Sequence, residues 1–268
     1  YTLSLHDALP ICMTDLAQLL VFAAPVALAA IGETVGQKSG VINIGLEGTM
    51  LTSAYVGMLG SYVTGSPWVG LGFGIVAGIV LAVISGWFCV KLAADQVVVG
   101  AALNLFALGL TGTLFRAKFG SSGQLLSVAK VPTFHGLDPV VGFMIVSVPL
   151  TWFLLQRTAW GLAVRAAGEA PKGAEAAGFS VDRLRMSALA IGGAFGGLAG
   201  AYLSLGLAGS FAENMTAGRG FVAIAMVTFG RWRPLFVFLA ALLIGYTESL
   251  QYVLQGQSSR IPYELLIA

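Results

Sequence analysis

The sequence predicts an all-α, polytopic membrane protein of about eight transmembrane helices, with a ninth cut short at the end. Three observations predict it. Charged residues make up only 10% of the 268 residues and hydrophobic ones 57%, whereas a water-facing surface goes with about 25% charged residues. Apolar runs of the ~20 residues that a helix needs to cross a bilayer recur along the chain. Many of the 36 glycines fall four residues apart, a spacing that lets helices pack closely in lipid. The same figures exclude other classes. Disorder needs low hydrophobicity and high net charge, and a net charge of +2 leaves no nucleic-acid footprint. Cys12 and Cys89 make neither a disulfide framework nor a metal site. A transmembrane barrel needs ~10-residue segments of alternating polarity, and none is seen.

The elements follow in order. Residues 1–12, YTLSLHDALPIC, are mixed in polarity and precede Met13. They resemble a translated sequencing adapter and are expected to be a non-native leader, leaving 13–268 as the transmembrane domain. Apolar runs place spans near 16–36, 44–64, 67–90, 96–115, 139–156, 187–209, 218–230 and 235–254. The seventh is short for a crossing, so a tilted, broken or partly inserted segment is expected. Pro262-Tyr263-Glu264 reads as the start of a further helix that the chain cuts off at Ala268. Orientation follows the excess of Lys and Arg on the cytoplasmic side. With 157–186 inside, nine basic residues lie inside and Arg116, Lys118, Lys130, Arg219 and Arg260 lie outside. That arrangement puts Met13 outside, which makes the first span the least secure. Gly192 to Gly200 stacks three overlapping GxxxG patterns, and Gly70, Gly74 and Gly78 repeat the spacing, so close intrachain or subunit packing is expected there.

One hydrophilic segment, residues 157–186, holds eight of the 26 charged side chains. Pro171 suits a first helical turn, where its missing N–H costs nothing. Glu169 stands just ahead of that positive helix end. Ala174, Ala176 and Ala177 favour helix, and Gly178 is placed to end it. The segment reads as a short cytoplasmic helix with an Ala-rich face free to dock a partner.

This loop and the Gly/Ala-rich span after it resemble the coupling segment of bacterial ABC-importer permeases of the branched-chain amino acid, simple sugar and nucleoside class. The matching residues are Trp160-Gly161, Arg165-Ala166, Gly168, Glu169, Pro171, Ala176-Ala177, Gly178-Phe179 and Val181. KSGVINIGLEGTM at 38–50 and GRGFVAIAMVTFGRWRP at 218–234 are similar to two further runs of the family and favour its nucleoside branch. The resemblance implies a permease subunit in the bacterial inner membrane that moves nucleosides by alternating access. Simple sugars or branched-chain amino acids are the alternative cargo. It further implies an ABC ATPase docking on a coupling segment that here includes Arg165, Gly168, Glu169, Pro171, Lys172, Ala176 and Gly178. A second permease subunit and an extracellular lipoprotein or periplasmic binding protein complete the expected complex. No cofactor is expected in this chain, since the partner subunits bind the ATP. Gly32 to Ser39 is the nearest approach to the phosphate-loop pattern G-x-x-x-x-G-K-(S/T), but Gln37 separates Gly36 from Lys38.

Polar side chains at membrane depth face protein or a water-filled cavity. The candidates are Glu33, Asn43, Glu47, Asn104, Glu248 and Gln251. Asn43 and Glu47 share a helix face and, with Asn104, form a candidate translocation track with Phe106 or Tyr55 placed to stack on a base. The alternative is that these residues cap a broken helix or bond between helices. Glu33 and Glu248, nearer span ends, are read as interfacial. Cys89 reads as a packing residue, and His135 as a loop residue beside Pro132. No catalytic grouping or metal-spaced cluster is seen. A secondary transporter is the rival from another class; it predicts paired carboxylates across inverted repeats, and no such symmetry is found.

Overall fold

The computed structural model describes residues 5–120, 128–133 and 137–256, with side chains from residue 16 to 251 within those ranges. The expected leader lies outside the described side chains, and the helix start at Pro262 lies outside the described residues altogether, as does His135. Among the described residues ten helices follow one another: α1 (Leu5–Lys38), α2 (Leu46–Thr64), α3 (Pro67–Gly86), α4 (Gln96–Phe119), α5 (Pro139–Arg157), α6 (Ala159–Glu169), α7 (Pro171–Ala176), α8 (Val181–Tyr202), α9 (Arg219–Phe229) and α10 (Pro234–Gly256). Single π-helical turns extend α3 through Trp87–Lys91 and α8 through Leu203–Ala208. Six of these segments are long and apolar enough to cross a membrane: Leu16–Lys38, Pro67–Lys91, Gln96–Phe119, Pro139–Arg157, Val181–Ala208 and Pro234–Gln251. The chain is therefore an all-helical, multi-pass membrane protein. The expected count near eight goes beyond those six, because α2 is mixed in polarity and α9 has only 11 residues.

Helices α1 and α8 form the centre, and the others wrap them. Residues 23–36 of α1 are buried without a break, and so are Gly196 to Leu205 along α8 and its π turn. By contrast, α3, α4 and α10 present exposed faces such as Val76, Leu105, Phe106 and Leu243, as expected of lipid-facing helices. The inner packing is made by glycine. A Cβ on Gly78 would fall onto the Gly193 carbonyl oxygen, and one on Gly193 onto the Gly78 carbonyl. Gly197 meets Gly74 in the same way, and Gly200 meets the backbone of Met50 in α2. In lipid no hydrophobic force draws apolar helices together, so van der Waals contact between bare backbones provides the attraction. The expected small-residue seam is thus an intrachain seam of α8 against α2 and α3.

The C-terminal end of α8, with its π turn, is strapped by the 128–131 segment. Val131 N–H bonds the Leu205 carbonyl at 3.1 Å and Val128 N–H bonds that of Gly209 at 3.0 Å. Lys130 Nζ reaches the Leu207 carbonyl at 3.3 Å. The π turn frees these carbonyls, and the Tyr202 ring fills the place where a Gly206 side chain would stand. The Tyr202 hydroxyl donates to Asp138, the residue that opens α5. Burial raises the Asp138 pKa above the ordinary carboxylate range, while the Tyr202 bond and nearby Lys130 pull the other way.

Candidate functional site

Two constructions have the chemistry of a site: the segment between α5 and α8 and a junction of broken helices inside the bundle. In the first, the segment between α5 and α8 forms two helices rather than one. Thr158 caps α6 by accepting the Gly161 N–H at 3.0 Å, and the chain turns at Ala170 into α7. Pro171 is the first residue of α7. Gly178, at φ +85°, ends it: the Gly178 N–H bonds the Glu175 carbonyl at 2.9 Å and the Phe179 N–H bonds that of Ala174 at 3.0 Å. The start and stop read from the sequence hold, whereas α6 was hidden because its apolar residues continue the preceding span.

The segment is anchored from below and open above. Gly168 packs so closely that a Cβ there would strike the Lys38 carbonyl and the Gly40 backbone. Arg185 Nε donates to the Ser39 carbonyl at 3.2 Å, and Trp160 Nε1 donates to Ser187 at 3.1 Å. Arg165, Gly168 and Pro171 are partly buried against this base, while Glu169, Lys172, Ala176 and Gly178 are exposed. Between α6 and α7 lies a hollow of about 300 Å³, lined by Ala163, Ala166, Ala174, Ala177 and Phe179 among others. Its walls are short side chains on a rigid base, so it can admit an apolar side chain from another protein.

The second construction is the junction of α2, α4, α9 and α10. After the C-terminal end of α8, residues 209–218 descend without regular structure, and α9 begins only at Arg219. Neither Gly218 nor the turn before it supplies a side-chain cap. Glu47, the second residue of α2, does so across the bundle: its carboxylate accepts the Gly218 N–H at 2.8 Å and the Gly220 N–H at 2.7 Å. Negative charge at a helix N-terminus is stabilising. Gly220 has no room for a side chain, since a Cβ would meet the Glu47 backbone at 2.6 Å.

Arg219 is paired with Glu248 of α10, Nε–Oε1 at 3.2 Å and Nη2–Oε2 at 3.3 Å. It therefore does not belong with the outside-facing cations, because α9 starts inside the bundle. Glu248 is not interfacial for the same reason. Glu33, five residues from the end of α1, is buried in the bundle and accepts the Asn43 N–H at 2.9 Å and Gln37 Nε2 at 3.2 Å. Asn104 clamps the other break. Its Oδ1 accepts the Gly48 N–H at 2.7 Å, and its Nδ2 donates to the Ile44 carbonyl at 2.9 Å.

Asn43, Glu47 and Asn104 thus all lie along residues 43–48 or against them; the side chains of Glu47 and Asn104 bond backbone left open where a helix breaks, while Asn43 precedes α2 and does not share a helix face with Glu47. Asn43 Oδ1 is buried without a hydrogen-bond partner among the described residues, as is the hydroxyl of Thr216. Asn104 lies eight residues into α4, about 12 Å along it, so the junction is near the middle of a ~30 Å hydrocarbon core. Irregular backbone at such depth persists only where protein covers it or water lines it. Here Glu47 and Asn104 supply that cover, while Glu213 pairs with Arg116 near the far end of α4. Tyr55 is committed to the core, edge-on to Phe211 at 5.3 Å, while Phe106 is exposed on α4. The sequence signal for this junction was a helix start at Gly218-Arg219-Gly220 with no local cap.

Comparison with known proteins gives the family. A "Putative glucose ABC transporter permease protein" of Haloferax volcanii is 37% identical, over 88% of this chain and 75% of its own length. A guanosine ABC transporter permease protein of Bacillus subtilis is 33% identical, over 87% of this chain and 80% of that one. A nucleoside ABC transporter permease protein of Lactococcus lactis subsp. cremoris is 31% identical, over 88% and 81%. Residues 16–267 match the family described as branched-chain amino acid transport system / permease component, and the chain belongs to that family.

Proposed function

We propose that this chain is the membrane-spanning subunit of an ATP-driven importer for nucleosides in the bacterial cytoplasmic membrane. The observation that carries the proposal is the α6–α7 segment. It is exposed on top, rigidly seated on α1 and α8, and hollowed to receive a partner's side chain. An ABC ATPase docks there, with Glu169, Lys172, Ala176 and Gly178 at the contact and Arg165, Gly168 and Pro171 holding the base. Motion of the docked ATPase reaches the outer end of the bundle through α8, which starts three residues after Gly178. A second permease subunit pairs with this one, and an extracellular lipoprotein or periplasmic binding protein delivers the solute. In this arrangement α2 crosses as well, and residues 209–230 make one further crossing out of an irregular half and the short α9, giving eight.

The solute path runs along the α2–α4–α9–α10 junction, with Asn43, Glu47 and Asn104 setting its backbone. Hydroxyls and base edges of a nucleoside match such amides and carboxylates. The guanosine and nucleoside relatives support this cargo. The glucose-named relative from Haloferax volcanii favours a sugar as the second reading. Docking is tested by co-purification of the ATPase with Gly178→Val and Glu169→Ala variants of the assembled complex. ATPase retention falls at least fivefold with membrane insertion intact; unchanged retention in both variants overturns the docking assignment.

A further inference from the structure

A groove between α1, α9 and α10 plays no part in the reading above. It encloses about 1080 Å³ and is lined by Phe229, Phe236, Leu239 and Leu243 along its wall and by Arg231 and Arg233 at one end. The two arginines flank a tight turn in which Arg231 and Trp232 both take left-handed backbone angles, φ +51° and +54°. That turn is held by Trp232 Nε1 donating to Gln37 at 2.8 Å, one residue from the end of α1. The arginines therefore lie on the same face of the bundle as α6 and α7, the cytoplasmic face.

Neither arginine has an acidic partner among the described residues, whose ion pairs are Lys91–Asp182, Arg116–Glu213 and Arg219–Glu248. Arg233 instead stacks over Phe236 at 5.9 Å. From Phe236 to Tyr246 the groove follows α10 for about 15 Å, close to the ~15 Å reach of one leaflet. A pair of free guanidinium groups at the headgroup level, above an apolar channel one acyl chain long, complements one kind of ligand. Arginine forks match phosphate oxygens, and basic pockets between membrane helices on the cytoplasmic side suit anionic headgroups.

We propose that this groove is a binding site for an anionic phospholipid of the cytoplasmic leaflet. Arg231 and Arg233 hold the phosphate, and an acyl chain lies along Phe236, Leu239 and Leu243. The bound lipid fills the space beside α9 and fixes the turn that joins α9 to α10.

The test uses the assembled complex in phosphatidylcholine nanodiscs carrying a trace of acyl-photoactivatable phosphatidylglycerol or phosphatidylcholine. Phosphatidylglycerol labels the 229–246 peptide at least fivefold more than phosphatidylcholine. Arg231→Gln with Arg233→Gln lowers that labelling at least fivefold, and the double lysine variant retains most of it. Leu239→Trp with Leu243→Trp fills the groove and abolishes labelling with both arginines in place. Equal labelling by the two lipids in the wild-type complex overturns the proposal, as does labelling unchanged in the double glutamine variant. Crosslinks from α10 to a second copy or another protein in place of lipid also overturn it. The readout needs neither ATP nor solute, so it can fail while the importer reading stands, and the reverse.

Discussion

Removing the Glu47 carboxylate tests the helix junction at its most concentrated point. In the wild type this side chain, only 8% exposed, accepts two backbone N–H groups at 2.8 and 2.7 Å from the start of α9. Glu47→Ala leaves both donors without their acceptor. An unsatisfied buried donor costs about 1–3 kcal/mol, and loss of the favourable charge at the helix start adds about 0.3–1 kcal/mol. Hydrogen bonds between membrane helices are often worth only ~0.6 kcal/mol, which sets the lower end. For the two donors and the charge together the sum is about 1.5–7 kcal/mol. Glu47→Gln restores one acceptor but turns an amide N–H toward the other donor, so it recovers about half. In a detergent-solubilised sample followed by tryptophan fluorescence, Glu47→Ala lowers the melting temperature by roughly 5–15 °C. Hydrogen exchange at residues 218–222 rises with it. A melting temperature within 2 °C of wild type, with those amides still protected, refutes the capping role.

Further expectations rest on separate contacts. Asn104→Leu keeps the volume but loses bonds at both Gly48 and Ile44, so it costs about 2–4 kcal/mol in the same melting assay, and Asn104→Asp loses only the Ile44 bond. Gly193→Val drives a side chain into the Gly78 carbonyl and Ala82, a backbone clash worth about 3 kcal/mol or more, and assembled protein falls on size-exclusion chromatography. Gly72→Ala and Gly142→Ala, at helical positions with open space, stabilise by up to ~1 kcal/mol. Burial raises the Asp138 pKa, so the folded state holds its proton to higher pH than the unfolded chain does. Stability therefore falls as pH rises from about 4, the unfolded value, through the raised folded one. Asp138→Asn keeps an acceptor for Tyr202 and flattens that slope, which melting curves from pH 4 to 8 measure.

What the sequence made legible follows from its kinds of signal. Apolar runs located the long helices because lipid imposes a length that no soluble context does, matching α2 to α5 and α10 within about four residues, whereas α1 and α8 begin eleven and six residues before the runs read for them. The glycine spacings located the α3–α8 seam, because close backbone approach admits few substitutes for Gly193 or Gly197. Pro171 and Gly178 marked the ends of α7 through local backbone chemistry. The candidates Asn43, Glu47 and Asn104 were chosen for cost at membrane depth, and all three gather at one junction. Their partners were hidden, since a carboxylate in α2 and an amide N–H some 170 residues later share no local pattern. Arg219 was misplaced outside for a similar reason: a charge count assumes that each helix starts at a membrane surface, and α9 starts inside the bundle.

The central claim is that this chain carries solute only when an ATPase drives it through α6 and α7. The direct measurement is uptake of radiolabelled guanosine and glucose into proteoliposomes holding the binding protein, both permease positions and the ATPase, with ATP supplied on the ATPase side. Uptake of guanosine is predicted to require ATP and the ATPase, and to fall at least tenfold in Gly178→Val. Uptake of glucose in place of guanosine moves the cargo to the sugar reading. Solute entry that continues undiminished without ATPase or ATP contradicts the account.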